Sequence, residues 1–166
     1  MFKRRRVIDM ASIDENKKNL KLTRLFGAPR KMVWKAWTDP KMIARWWGPR
    51  GFTNPRCEWV AKKGGTIRVD MTGPDGTVYP MGGTFQEISE PERLVFVTTA
   101  LDGAGKVALE NRNTVTFEEF NGMTKVTLNV SVQKISPEMA MALEGMEQGW
   151  SESLYRLADL LDNKAS

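Results

Sequence analysis

Histidine is absent from this 166-residue chain, and cysteine occurs once. Without histidine there is no Ser-His or Cys-His nucleophile pair, no histidine general base and no zinc site with histidine ligands. A single cysteine, Cys57, excludes an intramolecular disulfide and indicates a reducing compartment. We expect it to be a small, buried or half-buried residue in a strand. Any catalysis would therefore depend on carboxylates, tyrosine, lysine or arginine.

Long apolar runs are also missing. No stretch approaches the roughly 18 apolar residues that span a bilayer, and the basic start is not followed by the apolar region of a signal peptide. These absences predict a cytoplasmic protein without a membrane partner.

The net charge of +5 is concentrated at one end. Lys3–Arg6 supply four of the 25 basic residues, and 20 acidic residues balance the others. A terminal basic run is more often a solvated tail than a binding arm, so we expect no nucleic-acid partner. Residues 1–19 lack a sustained period and are interpreted as a flexible basic and polar extension. One domain is expected at 20–163, followed by a tail at 164–166.

The start of the predicted domain has the pattern of one strand and two short helices. The segment "LKLTRLF" at 20–26 alternates as a strand does. Pro29 suits the first position of a helix, where its missing N–H costs nothing. Asp39 then caps a second helix that Pro40 opens and that ends at the Gly48-Pro49 pair.

The middle of the chain predicts six strands. They are rich in Val, Thr, Ile and Phe, and they alternate with a period of two. Their short connections, among them the hairpin signal Asn121-Gly122, favour an antiparallel meander. The residues predicted to face the core are Ile67, Val69, Met71, Val115, Phe117, Val126, Leu128, Val130 and Val132. The six segments are "CEWVA", "TIRVDM", "VYPMGGTFQEI", "RLVFVTT", "NTVTFEEF" and "TKVTLNVSV".

The end of the chain predicts one long helix. Ser136 and Pro137 form a plausible start, and apolar residues then recur at spacings of three and four. Because the chain offers no helical partner of that length, the helix must lie on the sheet. The fold class is therefore α+β: a curved antiparallel sheet of about six or seven strands, two short helices after the first strand, and a long C-terminal helix across the sheet. The stripe is Met139, Leu143, Met146, Trp150, Leu154, Leu157 and Leu161.

This order of elements resembles the START-like superfamily, also called SRPBCC or helix-grip proteins, in which a curved sheet wraps the final helix around a cavity. Within it, the chain is similar to the bacterial and archaeal family named after the C-terminal domain of the activator of heat-shock chaperone ATPase. These motifs are signatures of a fold, so function has to be argued from the site. The resemblance is carried by "RLFGAPRKMVWKAWTDPKMIARWWGP" (24–49), "GGTFQEISEPERLVF" (82–96) and "EGMEQGWSESLYRLADLL" (144–161).

The cavity that the resemblance implies is the predicted site. We expect it to bind a small hydrophobic molecule, with no cofactor, no metal and no assigned catalytic residue. Trp47 follows Ile43 by four residues on one helix face, which predicts Trp47 in the core and Trp46 at the cavity rim. The predicted ligand-binding residues are Trp46, Trp47, Met71, Tyr79, Met81, Phe85, Phe96, Phe117, Met146 and Trp150.

Two features of the predicted site leave alternatives open. Gly145 and Gly149 each cost about 1 kcal/mol relative to Ala inside a helix, so they mark either close helix-sheet packing or a cavity wall. The ten methionines either line an adaptable cavity or fill gaps in the core.

Strand alternation places Arg68 and Asp70 on the solvated face, and we interpret Arg112 as solvated too.

Three functions follow from these patterns. The first is a binding module for a small hydrophobic ligand. The second, implied by the resemblance, is a protein-interaction module that modulates a heat-shock chaperone ATPase in the stress response. The third is a cyclase-like or hydrolase-like enzyme in the same cavity, for which Glu147, Tyr79 and Arg112 are the best candidate residues. The sequence is compatible with a monomer or a homodimer.

Overall fold

The computed structural model describes residues 9–14, 19–139 and 142–165. In these ranges an antiparallel sheet of eight strands packs against three α-helices. In chain order the elements are β1 (Asp9–Asp14), β2 (Asn19–Phe26), α1 (Arg30–Thr38), α2 (Pro40–Trp46), β3 (Thr53–Trp59), β4 (Thr66–Thr72), β5 (Val78–Ser89), β6 (Arg93–Leu101), β7 (Val107–Phe120), β8 (Met123–Ile135), a 3₁₀ turn (Pro137–Met139) and α3 (Ala142–Ala165).

The predicted α+β helix-grip architecture is confirmed, with α3 as the long C-terminal helix. The strands lie in the order β1-β2-β8-β7-β6-β5-β4-β3, and every neighbouring pair is antiparallel. Short hairpins join the strands from β3 to β8, whereas α1 and α2 fill the one long connection between β2 and β3. This arrangement places both short helices and α3 against one face of the sheet.

One strand was not anticipated. Part of the segment predicted as an extension forms β1, which pairs with β2 so that Asp9 lies opposite Arg24 and Asp14 opposite Asn19. Its sequence, "DMASID", has little β propensity, and the open edge of β2 supplies the pairing. The basic run Lys3–Arg6 lies outside the described residues, and α3 continues to Ala165, into the predicted tail.

The inward faces of the strands are as predicted. Val126, Leu128 and Val130 on β8 are each no more than 1% exposed, and so are Ile67, Val69, Val115 and Phe117. Met71 and Val132, also predicted to point inward, are half-buried. The Asn121-Gly122 hairpin is also confirmed, because both residues have positive φ, 51° and 79°, between β7 and β8. Such φ values match the turn to the twist of the strands.

Two indole N–H groups donate hydrogen bonds to the carbonyl oxygens at the C-terminal end of α1. Pro40 stands four residues after Ala36 and has no N–H, so the helix itself cannot pair the Ala36 carbonyl. Trp46 Nε1 donates to Ala36 O at 2.9 Å instead, and Trp59 Nε1 donates to Trp37 O at 2.8 Å. The two tryptophans therefore join α1 to α2 and to β3. The Asp39 side chain caps α2 by accepting from Lys41 N at 2.9 Å, as predicted.

Cys57 lies half-buried on β3, as expected, with Sγ 3.6 Å from Pro40 O. Burial raises the pKa of its thiol from 9.0 to about 11. Because the thiolate is the reactive form, we expect iodoacetamide at about pH 8 to alkylate the folded protein roughly a hundredfold more slowly than the unfolded chain. Mass spectrometry of samples with and without urea measures both rates. Equal rates would contradict the burial of this thiol.

Candidate functional site

A pocket of about 380 Å³ lies between the concave face of the sheet and the first half of α3. It opens where the end of β4, the start of β5, the end of β6 and the start of β7 meet the loop after α2. Most of its wall is apolar, contributed by Trp47, Pro49, Met71, Met81, Leu109, Met146 and Trp150.

The aromatic part of the wall is continuous with the hydrophobic core. Trp150 stacks on Trp37 with ring centroids 6.2 Å apart, and it meets Trp47 edge-on at 5.1 Å. Trp47 in turn contacts Trp59 at 5.1 Å. Offset and edge-on ring contacts of this kind favour fixed side-chain orientations. The shape of this wall is therefore set by core packing.

A polar group lies on the sheet side of the pocket. Asn113 is 1% exposed, and its Nδ2 donates to Phe96 O at 3.2 Å and to Thr98 Oγ1 at 3.1 Å. A backbone carbonyl can only accept, so the contact with Phe96 fixes which end of the amide is nitrogen. The Oδ1 atoms of Asn113 and of Asn111 are buried, and neither finds a partner in the described part of the chain. Carbonyl oxygens are thus available to a bound molecule.

The loop after α2 is tied to α3. Gly48 N donates to Ser153 Oγ at 3.1 Å. The Arg156 guanidinium donates through Nη1 to the carbonyl oxygens of residues 47–49, at 2.9 to 3.1 Å, and through Nη2 to Arg45 O at 2.9 Å. A cation here also compensates the negative end of the α2 dipole. Two side chains of α3, those of Ser153 and Arg156, thereby hold the loop that carries part of the pocket wall against α3.

Two charged groups of this contact have shifted pKa values. Burial is the main cause that lowers the pKa of Arg156, and the nearby charge of Arg50 lowers it further. Arg156 nevertheless stays protonated, because the ordinary pKa of an arginine side chain lies far above neutral pH. Hydrogen bonds from the Arg50 amide and from the Gln148 side chain, at 3.0 and 3.1 Å, hold the pKa of Glu152 below its ordinary value. Both groups therefore keep their charges at neutral pH.

The glycines of α3 face open space. A Cβ added at Gly145 would meet no atom within 4 Å, and one at Gly149 would meet only Pro49 Cγ at 3.9 Å. Both residues line the pocket. Of the two alternatives left by the sequence, the structure favours the cavity wall, because close helix-sheet packing would leave no room for a methyl group. Gly149 is half-buried in this wall, whereas Gly145 is exposed to solvent where it lines the pocket.

Half of the predicted site residues are brought together. Trp47, Met71, Met81, Met146 and Trp150 line the pocket, and their binding of a ligand stays a prediction.

Phe85, Phe96 and Phe117 do not reach the pocket. They are on the predicted inner face, but each is at most 2% exposed and packs on Trp59, Trp47 or Trp34. They form the core behind the pocket wall.

The role predicted for Trp46 was wrong: it does not lie at the cavity rim but is fully buried between α1 and α2. Trp47 is buried in the core, as predicted, and its ring also lines the pocket. The helix ends at Trp46, and Trp47 has extended dihedral angles of φ −68° and ψ 132°. Helical spacing from Ile43 therefore does not apply to Trp47, whose ring turns toward the sheet.

Tyr79 was also misplaced. It shares the inner face with Met81 but lies at the start of β5, where it is 48% exposed and contacts Phe52 at 5.8 Å. Arg68 and Arg112 are exposed, as predicted, whereas Asp70 is half-buried, with 24% of its side chain exposed. Glu147, Tyr79 and Arg112 are not among the residues that line the pocket, so the enzyme hypothesis loses its candidate residues.

Sequence reasoning missed the polar residues of the pocket, Thr98, Asn111, Asn113 and Ser153. A signal was present for the two asparagines. The predicted strand began at Asn113, whereas β7 begins at Val107, and alternation carried back from Phe117 places both asparagines on the inner face. Two consecutive inward amides on a core strand indicate a polar site.

Two negative findings apply to the residues that the structure describes. Nowhere in these ranges do three or more His, Cys, Asp or Glu side chains gather where a metal ion could be held. None of the helices in these ranges is both long and apolar enough to cross a membrane.

Residues 27–162 match the family described as "Activator of Hsp90 ATPase homolog 1-like protein". No curated protein matches the chain. Among solved structures, a protein of Arthrobacter aurescens is 28% identical with a TM-score of 0.81, over 93% of this chain and 91% of that one. A Mycobacterium smegmatis protein is 25% identical with a TM-score of 0.77, over 93% and 96%. The AHSA1 protein of Silicibacter pomeroyi shares the fold at 22% identity, with a TM-score of 0.76, over 88% and 99%.

Proposed function

The chain belongs to the family described as Activator of Hsp90 ATPase homolog 1-like protein, and we propose that the pocket between its sheet and α3 binds a small, neutral, mainly apolar molecule. The family and the helix-grip fold indicate a ligand-binding type of module but name no ligand. The chemical nature of the ligand therefore has to be argued from the residues that line the pocket.

The observation that carries the proposal is the pair of glycines on the pocket side of α3. Each costs about 1 kcal/mol of helix stability relative to alanine. An alanine would fit at both places without a clash, so core packing gives no reason for glycine. Stability given up to keep a volume open is characteristic of a functional site. The open volume over Gly145 and Gly149 is where we place the ligand.

The size and chemistry of the pocket agree with such a ligand. Its volume of about 380 Å³ lies within the range of roughly 300–1,000 Å³ for small-molecule sites. The walls are apolar, and three methionine side chains, Met71, Met81 and Met146, can adapt to ligands of different shape. The polar groups on the sheet side are amides and hydroxyls, which suit a neutral molecule.

Filling the space over the glycines tests the proposal. We expect Gly145→Leu to abolish binding of apolar compounds that the unaltered protein binds, measured by native mass spectrometry and by thermal shift across a panel of lipids and metabolites. Glu144→Leu is the matched control, because it adds the same side chain to the adjacent exposed position. Unchanged binding in Gly145→Leu would contradict a ligand in this pocket. Stimulation of a heat-shock chaperone ATPase that survives Gly145→Leu would instead place the function on the protein surface.

Alanine at the same positions separates stability from binding. We expect Gly145→Ala and Gly149→Ala each to raise the free energy of unfolding by about 0.5–1 kcal/mol, because the helix gains and nothing clashes. The same variants should bind ligand more weakly, since each methyl group takes pocket volume. Urea unfolding and ligand titration measure the two effects. Destabilisation by either alanine would mean that the space over α3 is closed in solution.

A further inference from the structure

We infer that the ligand carries a hydroxyl group, which donates a hydrogen bond to Asn113 Oδ1 and accepts one from the Thr98 hydroxyl. This inference rests on the proposed function and names the chemical class of the ligand: a neutral, largely apolar alcohol.

Asn113 is the first step of the argument. It lies on the concave face of β7, opposite Phe96 on β6 and Val130 on β8, and is 1% exposed. Both hydrogen bonds of its amide are made by Nδ2, which leaves Oδ1 buried without a partner among the described residues. Buried polar atoms in folded proteins are almost always paired, and an unpaired one destabilises the fold. A donor supplied by a bound molecule satisfies this oxygen.

Thr98 supplies the second half of the site. Its Oγ1 accepts from Asn113 Nδ2 at 3.1 Å, so its own hydrogen can be donated elsewhere. Thr98 and Asn113 both line the pocket. An acceptor and a donor therefore lie side by side on the wall. The two are held in this relation by their mutual hydrogen bond.

The pairing selects one functional group. A hydroxyl donates once and accepts twice, so it can satisfy the Asn113 oxygen and the Thr98 hydrogen together. An ether or a ketone can only accept, which leaves Asn113 Oδ1 unpaired. An ammonium would satisfy Asn113, but it would be a buried charge, and the described residues that line the pocket include no carboxylate. Of these groups the alcohol alone fits both atoms.

The rest of the pocket fits the remainder of such a molecule. Asn111, two residues before Asn113 on the same face and about 7 Å away along the strand, offers a second buried carbonyl oxygen. Across from β7, the wall consists of Met146, Trp150 and the two open glycine positions of α3. The hydroxyl end thus faces the sheet, and the hydrocarbon body lies along α3.

Decanol and methyl nonyl ether test the inference, because they contain the same atoms and differ in having or lacking a hydroxyl hydrogen. Isothermal titration of the full chain is expected to give an affinity about tenfold higher for decanol. In Asn113→Leu this preference should disappear while the ether binds as before, because the acceptor for the hydroxyl hydrogen is gone. In Thr98→Val, which keeps the shape of the side chain, both compounds should bind several-fold more weakly with the preference kept, because both lose the hydrogen that Thr98 donates. Thr98→Val tests the donor half of the site if Asn113→Leu fails to fold.

The alternative outcomes separate the two proposals. Equal affinity for both compounds in the unaltered protein, abolished by Gly145→Leu, overturns the hydroxyl inference and supports the pocket as the binding site. A decanol preference that persists in a folded Asn113→Leu also overturns the inference, and so does an unchanged affinity of Thr98→Val for both compounds. Absence of binding by both compounds and by the wider panel overturns the proposed function itself.

Discussion

Replacing Trp46 with alanine is expected to lower the free energy of unfolding by about 4 kcal/mol. The ring is fully buried and meets Trp37 edge-on with centroids 4.7 Å apart. Its removal would leave a large cavity between α1 and α2. It would also leave the Ala36 carbonyl without its donor, because Pro40, at the position that normally pairs with it, has no N–H.

Trp46→Phe is the intermediate case. It keeps one aromatic ring in the core and removes the indole N–H together with the volume of the second ring, so we expect a loss of about 2 kcal/mol. Phe120→Ala is the control, since Phe120 is half exposed at the end of β7, and we expect a change below about 1 kcal/mol. Urea unfolding followed by circular dichroism measures all three variants. A loss below about 1 kcal/mol for Trp46→Ala would contradict the burial of this ring.

The same residue marks the limit of periodic reasoning from sequence. The ends of α2 were recognisable, from the Asp39 cap to the Gly48-Pro49 stop. The prediction nevertheless extended helical spacing one residue too far. Trp46, predicted at the cavity rim, is fully buried, and the extended residue Trp47 both packs in the core and lines the pocket. Local patterns predict which element forms, whereas the direction of a side chain at an element's end depends on dihedral angles that the pattern does not contain.

Strands with their own signal were predicted and the strand without one was not. The alternation of β8 and the Asn-Gly turn before it are local properties, and both are confirmed. β1 forms because β2 offers an unpaired edge, a condition set by the rest of the sheet. The early start of β7 is a similar case, since residues 107–112 have mixed composition and are held by β6 and β8 on either side.

The pocket shows the same division. Its methionines and Trp150 were predicted because the fold brings their segments together. The sequence also identified Gly145 and Gly149 as unusual for a helix, but only the space around them distinguishes a pocket from tight packing. Whether Phe85, Phe96 and Phe117 line the pocket or lie in the core behind it depends on how far along each strand the pocket begins. That distance follows from the way α3 crosses the sheet, which no single segment encodes.

The contact between Arg156 and the loop after α2 gives the second large effect. Arg156→Met is expected to lower the free energy of unfolding by about 3 kcal/mol, because four carbonyl oxygens lose a charged donor at once. The Trp47 carbonyl keeps a hydrogen bond from Asn54 Nδ2 at 2.9 Å, and the Pro49 carbonyl keeps one from Phe52 N at 3.1 Å. For the Gly48 carbonyl no second donor is seen among the described residues. The loop should loosen there first.

Loosening of this loop should also reach the pocket, since Trp47, Gly48 and Pro49 are part of its wall. We therefore expect Arg156→Met to weaken ligand binding beyond what its stability predicts at a temperature where the variant is fully folded. Arg156→Lys keeps the charge but cannot span the four carbonyls with one ammonium, so an intermediate loss is expected. Arg112→Met, on the exposed face of β7, is the matched control and should change stability by less than about 0.5 kcal/mol. If Arg156→Met were as stable as that control, the guanidinium would not be holding the loop to α3, and the fixed aromatic wall of the pocket would need another cause.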